Sequence, residues 1–413
     1  MNRRIVVTGW GLVSSLSCEV EDCWNRVLSG ESGVHAVRLI ETGDLKVKIG
    51  GDVYDWDCSE YFDSKTAKKV DRFSQFAMVA AQQAVKSSGM DFTSGDNLRY
   101  GCLLGSGIGG LITISEQMER LILKGPSRVS PLTIPKLMLN AGGGNIAIQH
   151  GLQGPNYSVA TACASAGNAM GDAVDLIRKG DCDLLITGGA ECALTRIGVS
   201  AFQNMRALST RNDNPGAASR PFDRGRDGFV LSEAAGILVF EELEHAKARN
   251  ADILGEIIGF GTTCDAGHIT SPDPTGAGAA RAMSLALKSA NIAPDEVDYI
   301  NAHGTSTPLG DIAETIAMKN VFGDHAYKVS VSSTKSQIGH SLGASGGLEL
   351  IFSLKAIHNN TVPPTINLED PDPECDLDYT PNVPKERELR TVMSNSFGFG
   401  GHNASIIVRE FTD

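Results

Sequence analysis

The sequence predicts an α/β fold in which sheets lie between helical layers, and three observations carry that reading. Short β-branched runs alternate with segments of helical spacing along the whole chain. Several of the runs, such as Leu184-Leu-Ile-Thr187, lack polar alternation, as expected of strands covered on both faces. The 46 glycines fall mostly at the ends of these runs, where the backbone must turn or approach a neighbour closely.

Taken in order, the strand-like runs are Arg4 to Thr8, Tyr100 to Leu104, Leu184 to Thr187, Gly236 to Phe240, Ile253 to Gly259, Tyr299 to Ala302, Lys328 to Ser332 and Ala404 to Arg409. Apolar residues at helical spacing predict helices over Phe73 to Ser88, Ile112 to Leu123, Ala164 to Lys179, Gly276 to Ala290, Asp311 to Val321 and Gly346 to Asn359. A strand leading into a Gly/Ala/Ser-rich helix start occurs twice, at Ser158 to Met170 and at Val329 to Gly347. Small side chains there would let two helices pack closely. A charged helix over Glu241 to Asn250 precedes a new strand, so the chain is expected to divide into halves 1–250 and 251–413. No proline-rich or low-complexity linker separates them, and a shared core follows.

With 413 residues the chain can bury ~75% of its unfolded surface and needs no staples. At 41% hydrophobic and 21% charged residues, with no apolar run of membrane-spanning length, it reads as a soluble globular protein. Its nine cysteines are odd in number and include no Cys-x-x-Cys pair, which argues against a disulfide framework or a sulfur-rich zinc site. A reducing, cytoplasmic setting is expected. The N-terminal apolar run, Ile5-Val-Val7, is too short for a signal-peptide core and reads as the first strand. The net charge of -13 disfavours nucleic acid, and an acidic partner would need a local basic patch.

Cys163 is the leading candidate nucleophile. In Ser158-Val-Ala-Thr-Ala-Cys163-Ala-Ser-Ala-Gly a strand turns directly into a helix, which places the thiol near a positive dipole end and is expected to favour thiolate. Its competing reading is a small buried hydrophobe. Two histidines lie in glycine-punctuated turns after strands, His303 in Asn301-Ala-His303-Gly-Thr-Ser-Thr307 and His340 in Lys335-Ser-Gln-Ile-Gly-His340. Loops at strand ends present reactive groups on a rigid scaffold, so both are natural partners for the thiol.

These segments, with Asn395-Ser-Phe-Gly-Phe-Gly-Gly401, resemble the β-ketoacyl-[acyl-carrier-protein] synthases, most closely the elongating type II enzymes, and the likeness runs from Val6 to the C-terminus. The resemblance implies a thiolase-like five-layer αβαβα sandwich of two similar halves, a homodimer, and decarboxylative Claisen condensation of acyl with malonyl carrier protein to a 3-oxoacyl product and CO2. It implies Cys163 as nucleophile, and His303 and His340 as neutral donors to an enolate. Lys335 and its ion-pair partner Glu349 would support them. Phe399 and Phe397 would form the gate, with the N–H groups of Cys163 and Phe399 as oxyanion hole. Ile108 and Phe202 would line the acyl pocket, and Thr305, Thr307, Thr270 and Ser271 the path of the 4'-phosphopantetheine arm. No metal or cofactor is required beyond that arm.

Lys65, Lys68, Lys69 and Arg72 fall at i, i+3, i+4 and i+7, which predicts one basic face on a helix starting near Asp63 or Ser64. Such a stripe reads either as a solvated face or, since acyl carrier proteins are acidic, as a docking surface, with Arg128 and Arg206 as further contacts by resemblance. Gly105-Ser-Gly-Ile-Gly-Gly110 matches a dinucleotide-binding pattern, but no second strand ending in an acidic residue follows it at the required distance. The chain departs from the common family pattern at Ser232-Glu-Ala-Ala-Gly236 and at Ala166-Gly-Asn168. A ketosynthase of the same chemistry in a polyketide or polyene pathway is the nearest alternative. Retention of Cys163 argues against a non-enzymatic chain-length subunit, and the lack of a cysteine in Gly398 to His402 against a thiolase acting on coenzyme A esters.

Overall fold

The computed structural model describes residues 3–93 and 95–413. Ten strands form one continuous mixed sheet: β1 (Ile5–Val13), β2 (Tyr100–Gly105), β3 (Asn156–Val159), β4 (Leu184–Glu191), β5 (Ala234–Glu242), β6 (Gly255–Cys264), β7 (Tyr299–Asn301), β8 (Ser330–Ser332), β9 (Thr391–Gly398) and β10 (His402–Arg409). Their order is β8-β7-β9-β10-β6-β1-β5-β4-β2-β3. The first five strands and the last five therefore repeat one arrangement, third-second-fourth-fifth-first. The two first strands meet antiparallel, with Ile5 opposite Ile257 and Val7 opposite Gly255.

The six longest helices among the described residues are α1 (Arg72–Ser88), α2 (Leu111–Lys124), α3 (Ser165–Lys179), α4 (Ala277–Ala290), α5 (Pro308–Phe322) and α6 (Ser345–Asn359). Helices α3 and α6 occupy equivalent places in the repeat, each following the third strand of its five. They contact one another and strands of both fives, whereas α1 packs on β1, β5 and β4, and α4 on β6 and β10. The layers run α, β, α, β, α.

The two-residue period of the strands explains how one sheet serves separate cores. Leu185, Leu238, Phe240, Ile406 and Val408 point into the central core with Met170, Val174, Leu348 and Phe352. Their neighbours alternate outward, Ile186, Ile237 and Val239 against Phe73 and Phe76 of α1, and Ile407 against Met283 and Leu287 of α4. Truncating a fully buried ring such as Phe352 to Ala would cost ~3–5 kcal/mol.

All eight strand-like runs form strands. The strand expected ahead of Cys163 is β3, which starts two residues before Ser158, whereas β9 carries too many polar residues for the pattern to flag: Ser394, Asn395 and Ser396 are buried in it, and Oγ of Ser405 donates to Oδ1 of Asn395 at 2.8 Å. Helix α5 starts earlier than its apolar pattern, because Oγ1 of Thr307 accepts from the Gly310 N–H and Pro308 sets the first turn.

The basic stripe requires a correction. Asp63 caps a four-residue helix, Ser64–Ala67, and Asp71 then caps α1 separately, so the four positions do not share one continuous helix face. Lys65, Lys68 and Lys69 are exposed. Arg72 is turned inward, where its guanidinium donates to both Glu233 oxygens, at 2.6 and 3.0 Å, and to the Val53 carbonyl at 2.6 Å.

Candidate active site

Cys163 sits in a tight 3-10 turn, Ala162–Ala164, between β3 and α3. Ala162 is held at φ 51°, a left-handed conformation that costs an alanine roughly 1–2 kcal/mol and turns the next side chain off the strand line. Oγ of Ser165 braces the turn, accepting from the Thr161 N–H at 2.9 Å and donating to the Ala162 carbonyl at 2.6 Å. Gly398 lets the Phe397–Phe399 backbone approach, since a Cβ there would lie 2.8 Å from the Thr161 oxygen and 2.9 Å from the Cys163 nitrogen.

His340 is fixed through its backbone, donating to Val230 O at 2.7 Å and accepting from Ser232 N–H at 3.0 Å. Its Nε2 lies 3.0 Å from Cys163 Sγ and its Nδ1 3.1 Å from Oγ of Ser345. His303 follows β7. The N–H groups of His303 and Gly304 donate to the two oxygens of Glu314, both at 2.8 Å, which seats the turn. The two imidazoles stand edge to face, centroids 5.4 Å apart at 87°. One sulfur and two ring nitrogens, all within 4.8 Å of one another, thus share one buried spot. Such a trio is also a donor set that zinc accepts.

Electrostatics here are set by burial and by one cation. Lys335 is buried and ion-paired to Glu349, whose carboxyl is raised by burial. Burial, the Lys335 charge and the His340 ring hold His303 well below the ordinary histidine range; burial and Lys335 do the same to His340. Both rings are neutral at physiological pH. The expected thiolate is not the resting state: burial pushes the Cys163 thiol up to about 12, outweighing Lys335 and the N–H groups of Phe399 and of Cys163 itself. The helix start cannot prevail because the sulfur is buried against apolar neighbours and lies in the 3-10 turn ahead of α3.

A cavity of about 610 Å³ opens onto these groups. Cys163, His303, His340, Phe397 and Phe399 line it, as do Ile108 and Phe202. Thr305, Thr307, Thr270, Ser271 and the exposed Arg206 lie along its walls. Lys335 and Glu349 do not line it, nor do Lys65, Lys68, Lys69 or Arg128, of which Arg128 is exposed. Neither departure from the family pattern, at 166–168 or 232–236, reaches its wall.

Three residues of the site escape sequence reading. Phe229 packs edge-on against His340 and against Phe202, centroids 5.3 and 5.4 Å away. Glu314 lies inside α5 on a face that looks merely polar. Glu191 ends β4 with no exposure, and its carboxylate accepts from Gly107 N–H at 2.6 Å, Ser106 Oγ–H at 3.1 Å, Ile108 N–H at 3.2 Å and Gly343 N–H at 3.2 Å. That one carboxylate fills the glycine-rich loop where a phosphate would have to bind. It also ties the loop to the segment after His340. Its signal in the sequence is an acid closing an otherwise apolar strand.

Comparison with known proteins agrees with this geometry. Residues 2–246 match the family model for the beta-ketoacyl synthase N-terminal domain and residues 254–369 that for the C-terminal domain. The chain is 49% identical over 411 residues to a 3-oxoacyl-[acyl-carrier-protein] synthase 2 of Coxiella burnetii, covering 100% of this chain and 99% of the relative. It is 47% identical over 409 residues to the protein of that name in Synechocystis sp., covering 99% and 98%. Among solved structures, a beta-ketoacyl synthase from Burkholderia phymatum superposes with a TM-score of 0.91 at 34% identity, covering 99% of this chain and 100% of that one. A type II polyketide ketosynthase in complex with its acyl-carrier protein superposes with a TM-score of 0.93 at 33% identity and full coverage of both chains. By domain content, full-length similarity and fold, this chain belongs to the beta-ketoacyl synthase family.

Proposed function

We propose that the protein is an elongating 3-oxoacyl-[acyl-carrier-protein] synthase that condenses acyl with malonyl carrier protein, and that Cys163, His303 and His340 carry the reaction. The observation that carries this is the meeting of one thiol with two perpendicular, neutral imidazoles on the wall of one cavity. Relatives at 49% and 47% identity bear that name, whereas the polyketide ketosynthase stands at 33%.

In this reading the acyl chain first exchanges from the carrier's sulfur to Sγ of Cys163, a thioester-for-thioester step of small free-energy change. Malonyl carrier protein then loses CO2, and the resulting enolate oxygen accepts hydrogen bonds from His303 and His340. Neutral rings suit this role, because each offers an N–H without a proton it must give up. The enolate carbon attacks the acyl carbonyl on Cys163. The N–H groups of Cys163 and Phe399, the two backbone donors at the sulfur, hold the tetrahedral oxyanion. Collapse expels the cysteine sulfur, which takes a proton from water, and releases the 3-oxoacyl product. Phe397 and Phe399 gate the cavity beside Gly400, whose φ of 84° gives the loop a glycine hinge.

Lys335, held by its ion pair with Glu349, adds to burial in keeping both rings unprotonated. Ile108 and Phe202 bound the acyl chain, while Thr305, Thr307, Thr270 and Ser271 line the pantetheine path. Exposed Lys65, Lys68, Lys69, Arg128 and Arg206 dock the acidic carrier protein, and Arg72 is withdrawn from that surface. Halves 1–250 and 251–413 are proposed as the two structural units, supported by the repeated strand order. A homodimer is supported by exposed apolar residues on α2, Ile114, Met118, Leu121 and Ile122, and by the unpaired outer edge of β3. Among the described residues no helix is long and apolar enough to cross a membrane, which is compatible with a cytoplasmic site.

The test is to incubate the protein with acyl and malonyl carrier proteins and follow it by mass spectrometry. An acyl adduct on the Cys163 peptide and a 3-oxoacyl carrier product two carbons longer are expected. An adduct that persists in Cys163→Ser would remove the nucleophile assignment.

A further inference from the structure

His340 has a different partner at each ring nitrogen. Nε2 faces Sγ of Cys163 at 3.0 Å, while Nδ1 faces Oγ of Ser345 at 3.1 Å, and Oγ of Ser341 stands a further 3.1 Å behind. All four residues are buried. Serine in a helix commonly turns its hydroxyl onto a backbone carbonyl four residues earlier, as Ser353 does onto Glu349 at 2.7 Å. Ser345, the first residue of α6, instead places its hydroxyl against the ring nitrogen, where it can donate or accept.

A neutral imidazole carries one N–H and one bare nitrogen, and the partner at one nitrogen decides what the other offers. A carbonyl or carboxylate at Nδ1 would only accept, and would lock the hydrogen there. A backbone N–H would only donate, and would lock the hydrogen on Nε2. A hydroxyl can do either.

The two stages of the reaction proposed above ask for both. In acyl loading the resting thiol must lose its proton as Sγ forms a bond to the acyl carbon, and Nε2 is the base within reach. The ring becomes imidazolium, its Nδ1–H donates to Ser345 Oγ, and the Ser345 hydroxyl turns to Ser341. When the acyl carbon's bond to the carrier sulfur breaks, the proton passes from Nε2 to that sulfur. Between the stages the ring changes tautomer by exchange with water admitted to the cavity, one proton arriving at Nε2 and one leaving Nδ1 through the Ser345 hydroxyl, so that in condensation the neutral ring carries on Nε2 the hydrogen that meets the enolate oxygen. Ser345 then donates to Nδ1, and Ser341 to Ser345.

We propose that Ser345, backed by Ser341, is a positioning residue whose two-way hydroxyl lets His340 serve as base toward Cys163 in loading and as donor toward the enolate in condensation. The proposal rests on the condensing reading of the site.

Single-turnover kinetics with acyl and malonyl carrier proteins separate the stages. Loss of a charged donor's acceptor costs more than loss of a neutral one, so Ser345→Ala should slow acyl transfer to Cys163 about ten-fold or more. By the same argument CO2 release by the fully acyl-loaded variant should fall by less than about three-fold. Ser341→Ala, which keeps the hydroxyl at Nδ1, should give the same ordering with smaller amplitude, and carries the test if Ser345→Ala does not fold. Equal slowing of both stages, or loading as fast as in the wild type, would overturn the proposal. A wild-type protein that neither loads nor releases CO2 would instead remove the condensing reading itself.

Discussion

Sγ of Cys163 and Nε2 of His340 lie 3.0 Å apart although 177 residues separate them in the chain, and the sulfur is a thiol because its burial outweighs every positive influence around it. With the thiol raised to about 12, the thiolate fraction in the unliganded protein grows through the whole neutral and alkaline range. Alkylation of Cys163 by iodoacetamide should therefore rise ~10-fold per pH unit from pH 6 to 10. A plateau below pH 8 would show a thiolate at rest. Both histidines are lowered, so protonation of either should not diminish turnover as pH falls through 6.5, which a pH profile of kcat would check.

Glu191 holds the loop carrying Ile108 and the segment after His340 in one carboxylate. Glu191→Gln puts an amide N–H against N–H groups that need an acceptor, at ~1–3 kcal/mol. Thermal unfolding should move to lower temperature, and the acyl-length profile should broaden as Ile108 loses its seat. An unchanged Tm and profile would leave Glu191 without this role.

The basic residues near the start of α1 should separate into two kinds. Lys65→Glu with Lys69→Glu should raise KM for carrier protein at low salt, an effect that added salt reduces, with stability unchanged. Arg72→Ala should instead destabilise the fold by ~3–5 kcal/mol in denaturant titration, because it leaves the Glu233 carboxylate buried and unpaired. If Arg72→Ala raised KM without loss of stability, the inward placement would not matter in solution.

Ile122, 74% exposed on α2, is where a second copy is expected to seat. Ile122→Glu should shift sedimentation toward the monomer. Unchanged sedimentation would put the dimer contact elsewhere.

The sequence made the reactive trio legible because cysteine and histidine in small-residue turns after strands are rare in pattern and specific in chemistry. It made most strands legible because they are apolar on both faces. Strand β9 stayed hidden because Ser394, Asn395 and Ser396 are polar yet buried, Asn395 accepting from Ser405 of the neighbouring strand, so the run does not look like a core. The stripe from Lys65 to Arg72 misled because spacing alone cannot see a helix restart; Asp71, a capping residue just before Arg72, was the overlooked signal. Glu191 and Glu314 were hidden for a different reason. Glu314 accepts from backbone N–H groups of the turn just before its own helix and Glu191 chiefly from those of loops far along the chain, and backbone partners leave no mark in side-chain identity.

Two neutral rings stabilise one enolate in the proposed reaction, and His303 is the cleaner probe because it makes no hydrogen bond to the sulfur. The most direct measurement is single-turnover CO2 release from malonyl carrier protein by His303→Ala enzyme already acylated at Cys163. Loss of one such donor should slow that step ~10²- to 10³-fold while acyl loading proceeds at the wild-type rate. CO2 release as fast as in the wild type would contradict the account.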